Sequence, residues 1–137
     1  MNAAKRAEMR KWLLKSARDL GSARKLMEGE ETYLDTAVYH CPQAAEKARK
    51  AFLTYQDTVF EKTHDLTALV EQTIALEPAF EDWREVAEKL TPYAVPFRYP
   101  GDVLEPERAE GEEALATAEA LVDFIAGLLP DEVKPIT

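Results

Sequence analysis

The chain has 137 residues, 46% of them hydrophobic, which is enough apolar material for one domain with its own core and too little for two. Its formal net charge is −9, with one cysteine, two histidines and five glycines. Such counts exclude a disulfide framework within one chain, a zinc site rich in Cys and His, and a glycine-rich phosphate loop, while an acidic body works against broad, salt-driven binding to nucleic acid.

The first predicted element is a helix from about Ala3 to Met27. Met9, Trp12, Leu13, Ala17, Leu20, Ala23 and Met27 recur at three- and four-residue steps and form one apolar stripe. The same segment is basic: Lys5, Arg6, Arg10, Lys11, Lys15, Arg18, Arg24 and Lys25 stand against Glu8 and Asp19, a sum of +6 that leaves −15 for the rest of the chain. Two readings of this charge stand open, a solvated helix face or a local stripe that holds a phosphate or an acidic partner. Gly29, inside EGEE, marks a turn.

A second helix is predicted from about Thr32 to Phe60, with Tyr33, Leu34, Ala37, Val38, Cys41, Ala44, Ala45, Ala48, Ala51, Phe52 and Tyr55 on one broad arc. Cys41 therefore reads as core. Pro42 deletes one backbone hydrogen bond and costs about 3 kcal/mol inside a helix. It is expected to bend the helix near Tyr39 and His40 or to break it, and the helical arithmetic places it off the apolar arc, towards solvent or a partner. His40, Gln43 and Lys47 line one edge of the arc. Tyr39, Glu46, Lys50 and Leu53 form a second stripe, read either as a solvated face or as the surface of a second subunit.

Thr63 or Asp65 is placed to cap a third helix that carries Leu66, Leu69, Val70 and Ile74 and stops near Pro78. His64 sits at its start beside Lys62, where free backbone N–H groups favour an anion; a plain capping turn is the competing reading. A shorter fourth helix carries Trp83, Val86, Ala87 and Leu90. The stretch TPYAVPFRYPGD comes next, with three prolines and one glycine, and cannot be a regular helix. Tyr93, Phe97 and Tyr99 are expected to pin it to the bundle and hold Arg98 in place, either for a ligand or for an acidic neighbour. A last helix, from about Pro106 to Leu129, completes an all-α, up-and-down bundle of five helices in a single domain, residues 1–137. The pairs Glu30-Glu31, Glu81-Asp82 and Glu112-Glu113 read as solvated, because adjacent helical residues point apart, and no metal site is expected. No stretch approaches the roughly 20 apolar residues of a membrane span, and the charged N-terminus has no apolar run behind it, so a cytoplasmic protein is expected.

Three stretches in order, AVYHCPQAAEKARKAFL (37–53), KTHDL (62–66) and LTPYAVPFRYP (90–100), come after an opening helix with Trp12 and Leu13. Together they resemble the HEPN family over nearly the whole chain. The family's wording in its second helix is matched by His40, Gln43, Ala44, Ala45, Glu46, Lys47 and Ala48, whereas Pro42 and Arg49 stand where the family more often has Gln and Leu. The resemblance implies a helical up-and-down bundle, commonly a homodimer, linked in prokaryotes to nucleotide binding and to toxin–antitoxin pairs whose other gene encodes a minimal nucleotidyltransferase. Many members are ribonucleases that use an Arg followed by four to six residues and a His. Here the corresponding windows hold Tyr33, Leu34 and Asp35 before His40, and Asp57, Thr58 and Val59 before His64, so the motif is absent and no catalytic residue is assigned. The role implied is that of a nucleotide- or phosphate-binding, or partner-binding, component of a two-gene module. Its anion is expected near His40, Lys47, His64 and Arg98, with no cofactor. A divergent ribonuclease toxin acting on RNA, and an interaction protein with no small ligand, are the alternatives.

Overall fold

The computed structural model describes residues 1–60, 66–94 and 105–134. Five α-helices, α1 (Ala3–Met27), α2 (Leu34–Tyr55), α3 (Leu66–Leu76), α4 (Arg84–Leu90) and α5 (Arg108–Gly127), are joined by short 3₁₀ turns at Pro78–Trp83 and Thr91–Ala94, with another at Asp131–Val133. No strand occurs among the described residues. The expected all-α bundle is what the chain forms.

Helix α1 begins where Asn2 caps it, its side-chain oxygen accepting the Lys5 N–H at 2.8 Å. It ends just before Gly29, whose φ of +81° is open to glycine and strained for other residues. The next turn is held from far away in sequence. Arg108 donates to the Met27 and Gly29 carbonyls at 2.8 and 3.1 Å, while Glu105 accepts the Leu34 N–H at 3.0 Å. A cation thus sits on the C-terminus of α1 and a carboxylate on the N-terminus of α2, each matching its helix dipole. Gly111 allows this approach, because a Cβ there would lie 3.2 Å from Leu34 Cδ2.

Helix α2 stops short of the expected Phe60. Thr58 N–H reaches back to the Leu53 carbonyl and Asp57 N–H to the Thr54 carbonyl, with Asp57 itself at φ +54°. That pair of bonds closes the helix in a left-handed cap, and Lys5 holds the capping side chain at 3.0 Å. Contacts between α1 and α2 run in opposite order, Lys5 with Asp57, Ser16 with Ala44 and Tyr33 with Leu26, so the two helices are antiparallel. Ala37, Ala44, Ala48 and Ala51 are fully buried, and Ser16 Oγ donates to the Ala44 carbonyl at 2.8 Å.

Of the two outcomes expected at Pro42, a bend or a break, the break does not occur, since the helix runs past it from Leu34 to Tyr55. Its expected placement is corrected: the proline is buried, not turned to solvent. The arc calculation assumed one apolar face, but α2 is central: α1 and α5 cover two sides, and α3, α4 and the Thr91–Ala94 turn cover the third. Leu53, expected on an exposed stripe, is likewise fully buried within the chain, as Glu46 nearly is. The 3₁₀ turn at Pro78–Trp83 drives Phe80 into this layer, edge-on to Phe52 at 5.1 Å and to Phe124 at 5.2 Å. Cys41 is core, as its spacing implied.

Candidate functional site

The polar groups that the sequence placed on one edge of α2 meet α1 along one seam. At its centre is Asp19, nearly buried at 8% exposure. His40 Nδ1 donates to its Oδ1 at 2.8 Å and Lys47 Nζ donates to its Oδ2 at 2.5 Å. A carboxylate only accepts, so Nδ1 carries a proton and donates it, while Nε2 has no partner among the described residues. The ring is a quarter exposed and stands edge-on to Tyr39. Lys47 uses one of its three N–H donors on Asp19 and is also a quarter exposed.

One helical turn along, Trp12 lies between two lysines, Lys50 Nζ at 5.1 Å and Lys15 Nζ at 5.7 Å from its ring. Phe60 closes on the same indole edge-on at 6.0 Å. Farther on, Lys5 sits 5.6 Å above Tyr55 and pairs with Asp57. Helical spacing produces this order: on α1 the positions Trp12, Lys15 and Asp19, and on α2 the positions His40, Lys47 and Lys50, recur at three-, four- and seven-residue steps on facing edges. The result is a seam of cations and aromatic rings in a chain whose net charge is −9. Chemically it offers an oriented histidine with one free ring nitrogen and ammonium donors, which suits an anion with an adjacent planar group.

A second charged group lies deeper. Arg49 is 2% exposed, donates from Nη1 to Thr73 Oγ1 at 2.5 Å and places its guanidinium 5.1 Å from the Phe80 ring centre. Its Nη2 is buried with no hydrogen-bond partner among the described residues. Burial alone pushes the guanidinium down to about 10, so it remains charged at neutral pH. A cavity of about 10 Å³ adjoins it, lined by Pro42, Ala45, Glu46, Val70, Ala87 and Leu90. A larger hollow of about 270 Å³ lies between α4 and α5 beside Tyr93, Glu110 and Glu113. Tyr93 packs against the core, as expected, and donates to Glu110 Oε1 at 2.5 Å.

Of the four residues expected around an anion, His40 and Lys47 are brought together by Asp19. His64 and Arg98, with the caps Thr63 and Asp65 and the anchors Phe97 and Tyr99, lie outside the described residues. Sequence reasoning missed Asp19. A signal was present: Ser16 and Asp19 fall at three-residue steps on the apolar stripe of α1, where a polar residue must find a partner. Among the described residues, no group of three or more His, Cys, Asp or Glu side chains could hold a metal ion, and no helix is long and apolar enough to cross a membrane.

A family model described as the HEPN domain matches residues 9–128, a span that takes in both sides of this seam. No curated protein and no solved structure matches the chain.

Proposed function

Because this chain belongs to the HEPN family, we propose that it is a nucleotide- or phosphate-binding helical module whose anion docks on the α1–α2 seam, between Lys47 and the free edge of His40. The observation that carries this reading is the convergence of His40 and Lys47 on the buried Asp19, which orients the imidazole and leaves two ammonium donors of Lys47 for a ligand. Tyr39, edge-on to the His40 ring, gives a base or other planar group something to lie against. Arg98 and His64, which lie outside the described residues, are proposed as further contacts. The ribonuclease motif is missing from the sequence, so binding and not cleavage is the proposed role.

Calorimetric titration with nucleoside mono-, di- and triphosphates tests the proposal. Saturable binding is expected, weakened about tenfold or more by Lys47→Met or Arg98→Ala, since each removes a charged contact worth about 1.5–3 kcal/mol, and weakened also by His40→Ala, which removes the ring edge beside the anion. A flat trace across the panel would overturn it. Membership of a two-gene module with a nucleotidyltransferase is proposed alongside, supported by Lys11, Arg18 and Lys25 of α1, which are exposed and take part in no ion pair among the described residues; co-expression with the adjacent gene product, then co-purification, tests it.

A further inference from the structure

The outward face of α1 carries features that the seam does not use. Lys11, Arg18 and Lys25 are exposed on it and take part in no ion pair among the described residues. Other cations of the helix are engaged: Lys5 with Asp57, Arg24 with Glu119, Arg10 with the Glu132 carbonyl, and Lys15 over Trp12. From Lys11 to Lys25 the free charges run about 21 Å along the helix. Beside them lies an apolar line of Leu14, Ala17 and Gly21, spaced three and four residues apart, with Leu14 54% exposed.

Gly21 is the telling residue. It sits inside a 25-residue helix, where glycine lowers stability, and a Cβ added there would meet nothing within 4 Å. This chain's own packing gives no reason for the missing side chain. A small residue at position 21, four after Ala17 and beside a protruding leucine, is what a second helix needs for close approach, with Leu14 as the knob. A phosphate backbone has no use for an apolar line, whereas a helix with acidic flanks matches both the line and the charges.

We propose that the Leu14–Ala17–Gly21 face of α1, flanked by Lys11, Arg18 and Lys25, docks an acidic amphipathic helix of a partner protein. This rests on the partner-binding half of the proposed function and assigns that half a surface and a partner chemistry. Charge steers the encounter, and the apolar line supplies the buried contact.

The probe is a helical peptide of about 15 residues that matches the stripe, with an Ala/Leu seam and Glu flanks; a Lys-flanked peptide and a single-stranded RNA serve as comparisons. Saturable binding of the acidic peptide alone is expected. Gly21→Leu should weaken it about tenfold or more while raising the thermal midpoint of the free protein, since leucine favours helix and finds open space there. Lys11→Glu combined with Arg18→Glu should weaken it similarly. The proposal fails if the acidic peptide does not bind, if Gly21→Leu leaves its binding unchanged, or if the RNA binds in its place. It also fails if sedimentation shows this face occupied by a second copy that Gly21→Leu releases. A gene neighbour that co-purifies equally with the Gly21→Leu protein would overturn this face and leave the module reading standing.

Discussion

Asp19→Ala removes the one carboxylate that His40 and Lys47 share, at 2.8 and 2.5 Å. A hydrogen bond to a charged group contributes about 1.5–3 kcal/mol, and breaking a fully buried pair costs about 3–5 kcal/mol. The side chains of His40 and Lys47 keep 25% and 26% of their surface, so both rehydrate when the carboxylate is gone. That places the net loss at about 2–3 kcal/mol. With an unfolding entropy near 2.1 cal/mol/K per residue, about 7–10 °C should be lost from the thermal midpoint of a 137-residue chain. Urea unfolding measures the loss directly, and a double-mutant cycle with Lys47→Met should return a coupling of about 1 kcal/mol or more. Asp19→Asn separates charge from shape. It removes a negative charge a few ångströms from the proposed anion, worth at least about 1 kcal/mol, the value in bulk water, so phosphate should bind at least about fivefold tighter. A stability loss under about 0.5 kcal/mol would make Asp19 a bystander. Phosphate affinity that stays level or falls in Asp19→Asn would refute the electrostatic reasoning for the seam.

Arg49→Met removes a buried cation with an unpartnered Nη2, and Thr73 Oγ1 keeps its bonds to the Leu69 and Val70 carbonyls. Its urea-unfolding free energy should stay within about 1 kcal/mol of the parent or exceed it, whereas Arg49→Ala, which leaves a cavity, should cost about 2–4 kcal/mol. The Cys41 thiol is pushed up to about 12, first by burial and then by the carboxylates of Glu119 and Asp19. Thiol reagents at neutral pH should therefore label it only at the rate of unfolding, and fast labelling of the native protein would contradict the core placement. Tyr93 is raised to about 12 by burial first and then by Glu110, to which its hydroxyl donates. A phenol whose folded value exceeds its ordinary 10 stabilises fully below pH 10 and loses that contribution as pH climbs from about 10 through 12. In denaturant titrations across that window, Tyr93→Phe should show a shallower fall in stability than the parent.

Local signals located α1 well: the expected bounds, Ala3 and Met27, are those of the helix, and the Gly29 turn follows it. The ends of α2 were less legible. Its start depends on Glu105, 71 residues away, and its end on Asp57 taking a left-handed φ, a conformation that a sequence marks clearly only when glycine fills it. Pro42 shows the same division. Its cost comes from the covalent structure of proline, but whether its ring meets solvent or α4 depends on how many neighbours α2 has.

The edge that joins His40 to Lys47 was visible as a seven-residue step on α2, and the family was legible in three stretches in register. Asp19, which turns that edge into a paired site, lies 21 residues before His40 and 28 before Lys47 on another helix. Periodicity decides which side chains share a face, because the α-helix imposes one angle per residue. Which face meets which depends on crossing positions set by side-chain volume across the whole core, so the pairing at the seam and the burial of Leu53 and Pro42 came only with the tertiary structure.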